Sequence, residues 1–254
     1  MSLGAATVAR HARGILRRFV TWRWDAGFYI TREGLSTEIV LPNPSVEVER
    51  GRIGPKLVVL EFYAPEGRLV TRRTRVVPVG QSRIVRVGDI DGLPAFGQVR
   101  VIWFYRARDA RGGNRTVFHW PYPGGLTLVH EKKEPRPPRM GRPTGSLRLG
   151  QGYMTLFGVP PERPLDLYLV CTSQDRIPAR VALVAFGDAD QPIATSRPFV
   201  VAPWGAAFVD VRALLGEHEK ALAGPLAVDA RAFAVSYYYF LRNRIDGSWQ
   251  AQHL

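Results

Sequence analysis

The sequence predicts an all-β protein: two tandem β-sandwich units, Ig-like or jelly-roll-like, that arise from an internal duplication and follow a short amphipathic helix. Three observations lead there. An aromatic segment occurs twice at one constant offset, V-I-W-F-Y-R-A-R-D-A-R-G-G-N-R-T-V-F-H-W from Val101 and V-S-Y-Y-Y-F-L-R-N-R-I-D-G-S-W-Q-A-Q-H-L from Val235. Val101 falls on Val235, Trp103 on Tyr237, Phe104 on Tyr238, Tyr105 on Tyr239, Arg108 on Arg242 and His119 on His253. Two near-continuous apolar runs, Leu57 to Phe62 and Val181 to Phe186, match as buried central strands would. Frequent Gly and Pro divide the chain into short segments, the punctuation of an all-β fold.

The predicted units are a helix over 1–20, a first sandwich over 21–130, a Pro/Arg-rich linker over 131–145 and a second sandwich over 146–254. In the first, Val8, Ala12, Ile15, Leu16 and Phe19 fall on one face of a 3.6-residue period and arginines fall opposite. Such a helix suits an anionic membrane surface, with Ile15 and Phe19 entering the interface and Arg10, Arg13, Arg17 and Arg18 meeting headgroups. Capping the first sandwich is the other use of the same pattern.

The first sandwich opens with W-R-W-D-A-G-F-Y-I from Trp22, echoed by L-R-L-G-Q-G-Y-M-T from Leu147. Glu38 to Leu41 runs into Pro42-Asn43-Pro44 and corresponds to Leu167 to Cys171. Both central runs then turn into a strand closing on a Pro two before a Gly, Pro78 with Gly80 and Pro203 with Gly205. Ser82 to Val87 matches Ala207 to Val211, after which the second unit alone carries a helical pattern from Arg212 to Ala223. Both aromatic segments are expected to be hairpins, strand, polar turn and return strand. Because the second ends at His253, the C-terminus is expected to be structured.

Charge locates the candidate surface. The formal net charge is +13, and all but four of the 35 basic residues are Arg. Residues 1–20 carry four basic groups and no acid, 21–130 sixteen against ten, 131–148 six against two, and 149–254 nine against ten. An anionic partner should therefore meet the first half. Arg72, Arg73, Arg75, Arg100, Arg106 and Arg108 are the anion-binding candidates there, since guanidinium groups grip phosphate or carboxylate bidentately.

Chemistry is thinly marked. The single cysteine, Cys171, excludes an intrachain disulfide and reads as a small core residue. H-E-x-x-H, G-x-S-x-G and a phosphate-cradling G-x-x-x-x-G-K-[ST] loop are all absent. The repeated His119 and His253 are weak metal or acid–base candidates, because no other ligand stands at coordinating spacing. The expected function is thus a non-catalytic binding or scaffold protein without a cofactor. Its expected partner is an anionic membrane surface or another protein, with nucleic acid ranked below. Alternatives are an enzyme or metal protein using the two histidines, and a carbohydrate-binding module using the aromatic strands. No run reaches the length of a membrane span and no secretory h-region is visible, which places the protein in the cytoplasm or peripherally at the inner face of the membrane.

Overall fold

The computed structural model describes residues 20–32, 34–43, 54–106, 116–130, 155–156, 159, 162–174, 176–187, 191–231 and 235–253. The expected Pro/Arg linker lies outside these residues, as does the expected N-terminal helix except for Val20, which instead begins the first strand. The described chain is mostly β and all its sheets are antiparallel. Sheet I has the order β1 (Val20–Ile30), β6 (Phe96–Arg106), β3 (Lys56–Tyr63), β4 (Leu69–Val77). Sheet II runs β5 (Gln81–Arg86), β2 (Glu38–Asn43), β7 (Val117–Tyr122), β8 (Gly125–His130).

In the second half, sheet III runs β9 (Thr155–Leu156), β15 (Leu226–Arg231), β11 (Ala179–Phe186), β12 (Pro192–Thr195). The same edge of β11 continues with β13 (Phe199–Val201). Between β12 and β13 the Ser196 Oγ stands in for a backbone group, accepting from Leu183 N–H at 2.9 Å. Sheet IV runs β14 (Ala206–Asp210), β10 (Leu165–Ser173), β16 (Val235–Asn243), β17 (Trp249–His253). Counting β12 and β13 as one broken strand, both halves have the strand orders 1-6-3-4 and 5-2-7-8.

That correspondence sets β6 against β15 and β7 against β16, not β6 against β16 as the aromatic echo implies. The first expected hairpin does not form. β6 is flanked by β1 and β3 within sheet I, so its hydrogen-bonding edges are filled, and the return strand β7 crosses to sheet II. The second aromatic segment is a hairpin, β16 pairing with β17 from Tyr238 opposite His253 to Arg242 opposite Trp249.

The helical insertion forms where its periodicity placed it, between β14 and β15. A short helix α1 (Val211–Leu215) is capped by Asp210, whose Oδ1 accepts from Arg212 N–H at 2.8 Å, and continues as a 3-10 segment, Gly216–Ala223. Leu215 and Leu222 close the second core, and His218 is exposed.

Two apolar cores result, and the first crosses between the halves. Leu60, Phe62, Val99, Val101 and Trp103 of sheet I face Ile39, Leu41, Phe118 and Trp120 of sheet II. Tyr168, Val170, Tyr238, Phe240 and Trp249 of sheet IV join the same cluster. Alternation along those strands sends Leu167, Leu169, Cys171, Tyr237 and Tyr239 into the second core. Sheet IV is therefore covered on both faces. Phe240 lies edge-on to Trp120 with ring centroids 5.1 Å apart, and Phe28 stacks on Phe208 at 6.0 Å. Among the described residues, two backbone N–H groups of the second half donate to the first: Ala206 N–H to Pro65 O at 3.1 Å, and Ala251 N–H to the Thr127 side-chain Oγ1 at 2.7 Å.

Candidate binding site

Residues directly opposite on antiparallel neighbours share a face, so the register of sheet I orders its outer surface into rows. The row at the start of β1 is Trp22, Phe104, Leu57 and Val76; the next is Trp24, Ile102, Val59 and Thr74. The third is Ala26, Arg100, Glu61 and Arg72, and beyond it Phe28, Gln98 and Tyr63 lie at the seam with the second half. The outer face of an antiparallel sheet is commonly polar. Here seven of the eight positions in the first two rows are apolar, and Trp22, Leu57 and Val76 are 52%, 43% and 57% exposed.

The charged row is built around one carboxylate. Glu61 is buried; its Oε1 accepts from Arg72 Nε at 2.9 Å and its Oε2 from the Tyr63 hydroxyl at 2.8 Å, while Arg100 Nη1 approaches Oε2 at 3.5 Å. Burial first, and then the bond to Glu61, pushes the Tyr63 hydroxyl up to about 12, so it stays a donor at physiological pH. Two guanidinium groups on one carboxylate leave the row net positive. Arg100 also lies over Trp24 at 4.9 Å and Trp204 at 5.2 Å, a cation held between two rings.

Trp204 reaches that position through an uncommon backbone. Gly205 N–H donates to Ala202 O at 2.9 Å, closing a turn in which Trp204 occupies the third place with φ of 58°. That is the left-handed position a type II turn usually gives to Gly. The sequence echo aligns Gly205 with Gly80, yet only Gly80 has positive φ, at 73°. Gly205 answers a different need. A Cβ there would stand 2.3 Å from Pro65 O, so the residue is small because the other half is close. The turn holds Trp204 stacked on Tyr63 at 5.9 Å and against Trp24 at 6.0 Å.

Of the sequence-predicted anion candidates, Arg72 and Arg100 meet at Glu61 on the outer face. Arg73 and Arg75 sit opposite Leu60 and Val58, hence on the other face of edge strand β4. Arg73 Nη1 donates to Thr71 Oγ1 and Arg75 Nη1 to Thr74 O. The six arginines thus do not form one guanidinium surface: β4 splits them by its period of two. Arg106 ends β6, with its side chain outside the described residues, as Arg108 is altogether. Arg10, Arg13, Ile15, Arg17, Arg18 and Phe19 lie outside them too.

His119 stands on β7 opposite Glu38 and Leu128, and His253 on β17 opposite Tyr238. Their strands belong to different sheets and do not correspond in the strand order, so the repeat does not make them a symmetric pair. No group of three or more His, Cys, Asp or Glu side chains that could hold a metal occurs among the described residues. Cys171 is buried in the second core, and burial pushes its thiol up, away from reactive thiolate.

The rings expected to offer a sugar platform are elsewhere than expected. Tyr237, Tyr238, Tyr239 and Phe240 are buried because both faces of sheet IV are covered, and Trp103 is buried on the inner face of sheet I; Phe104 lies part-exposed on its outer face, and the Tyr105 side chain is outside the described residues. Sheet III carries a shallow recess of about 270 Å³ lined by Arg180, Ala182, Thr195, Ser196, Pro198 and Asp229. Its charges are of mixed sign, unlike the arginine row of sheet I. Sequence reasoning missed Trp204, for which P-W-G gave no signal. Trp22 and Trp24 were visible only as an alternation, without the register that places them beside Leu57, Val59 and Val76. The chain matches no protein-family model, and comparison with curated proteins finds no match.

Proposed function

We propose that this protein is a non-catalytic binding or scaffold protein, two sandwiches derived from one by duplication, that engages an anionic partner through its first half. The identical strand orders of the two halves support the duplication. One observation carries the binding: the net positive charge of residues 1–148 coincides with the half whose sheet I has an open face bordered by Arg72 and Arg100, while the second half is near neutral. No helix among the described residues is long and apolar enough to cross a membrane. A peripheral role at the cytoplasmic leaflet, where anionic lipids attract basic segments, fits that charge.

The test uses the full chain, because the shared core makes isolated halves unsuitable. Binding to anionic vesicles, neutral vesicles and duplex DNA is followed across a salt series. Attraction by exposed charge acts over about one Debye length, ~8 Å at physiological salt, so affinity for the anionic partner should fall steeply with added salt. Substituting Arg72→Glu with Arg75→Glu should weaken it, whereas Arg180→Glu with Arg197→Glu in the second half should leave it unchanged. Absence of binding to either polyanion at low salt would reject the reading.

A further inference from the structure

We propose that the outer face of sheet I is a membrane-docking surface for anionic bilayers, on which Trp22, Phe104, Leu57 and Val76 enter the interface and Arg72 meets lipid phosphate. The inference rests on the reading of the first half as an anion-seeking surface and supplies the face and the partner.

Apolar and cationic groups are graded along one face. Same-face residues on a strand are about 6.7 Å apart. The Trp22 row therefore lies about 13 Å from the row of Arg100 and Arg72. A bilayer offers the same sequence of environments, acyl chains and then phosphate, over a comparable depth. The face also continues the predicted basic amphipathic segment: Phe19 immediately precedes β1, and Trp22 is the third residue of that strand.

Area and charge disfavour a second copy. Two rows across four strands span on the order of 250 Å² of sheet, well short of the ~800 Å² per partner of a stable protein interface. A two-fold contact whose axis runs along the strands would also set one arginine row against the other, like charge against like. A lipid surface meets neither obstacle, since it supplies phosphate to the arginines and imposes no minimum contact area.

The experiment uses the full chain with phosphatidylcholine vesicles containing phosphatidylserine, prepared with and without brominated acyl chains. Brominated lipid should quench tryptophan fluorescence, and Trp22→Phe should lower that quenching, with part-exposed Trp24 of the next row accounting for part of what remains. Trp103, Trp120 and Trp249 are buried and report little. The double variant Leu57→Glu with Val76→Glu alters two exposed side chains, so its melting temperature should match the parent. Its vesicle affinity should fall about tenfold or more through lost apolar contact and added negative charge.

Salt-dependent binding with no quenching, or with the double variant unaffected, would overturn the proposed face while leaving the electrostatic reading of the first half intact. No binding at low salt would remove both. Trp22 shielded from acrylamide without lipid, and unshielded by deleting residues 1–19, would mean that the N-terminal segment covers the face and would overturn the proposal. Concentration-dependent self-association abolished by the double variant would overturn it in favour of a second copy.

Discussion

Replacing Phe240 by Ala should destabilise the first and second halves together. Phe240 is fully buried on sheet IV, and among the described residues its four ring neighbours divide evenly: Phe28 and Trp120 belong to the first half, Phe208 and Trp249 to the second. A buried Phe→Ala change costs about 3–5 kcal/mol when the surroundings collapse only in part. Collapse is restricted here because the cavity wall is made of rings from both halves of the chain. In a cooperative unit of 150–250 residues each kcal/mol moves the melting temperature by about 2–4 °C, so the variant should melt about 10 °C lower. Scanning calorimetry is the assay. One transition is expected in the parent and one, shifted as a whole, in Phe240→Ala; Leu183→Ala, deep in the second core, should also move that single transition. Two transitions in the parent, with only one responding to Phe240→Ala, would refute a core shared across the seam.

Gly67 and Gly92 both have positive φ, but a Cβ on Gly67 would stand 1.9 Å from Pro203 O of the other half whereas one on Gly92 meets nothing within 4 Å. Gly92→Ala should therefore cost only the left-handed backbone penalty, about 1–2 kcal/mol, and Gly67→Ala measurably more, read as the difference between their denaturant midpoints. Alkaline stability should depend on Tyr63, whose folded hydroxyl is raised to about 12 from an ordinary 10. The unfolded chain ionises first, so this contribution is complete below pH 10 and is lost as pH rises towards 12; Tyr63→Phe should flatten the fall in melting temperature over that window.

Much of the succession of strands along the chain was legible because burial writes itself into period and continuity. β3 and β11 have a core on one face and partly covered surroundings on the other, so they read as unbroken apolar runs; the helical insertion announced itself by Leu215 and Leu222 on one side. The aromatic echo misled for a related reason. Both β6 and β16 are central strands that direct large rings to two faces, and residue character alone cannot distinguish the centre of sheet I from the centre of sheet IV. Pairing separates them, and pairing depends on contacts distant in sequence: Tyr105 opposite Thr21, Tyr239 opposite Leu169. The candidate site was less legible still. Arg72 and Arg73 are adjacent in sequence but lie on opposite faces, and Trp204 comes to Arg100 only because the turns at Pro65 and Pro203 meet.

The seam also constrains charge on one face of the second half. Tyr168, Val170, Tyr238 and Phe240 occupy the outer face of sheet IV, which the first half covers; an arginine there would be desolvated without a partner at a cost of several kcal/mol. The corresponding face of the first half, on sheet II or sheet I, is not constrained as a whole in that way. The outer face of sheet I is covered towards Phe28 and Tyr63, and where cover begins the buried Glu61 carboxylate holds Arg72 and Arg100 in place. On this face Arg72 and Arg100 flank the point where the second half ends its cover, and the apolar rows beyond them are left open.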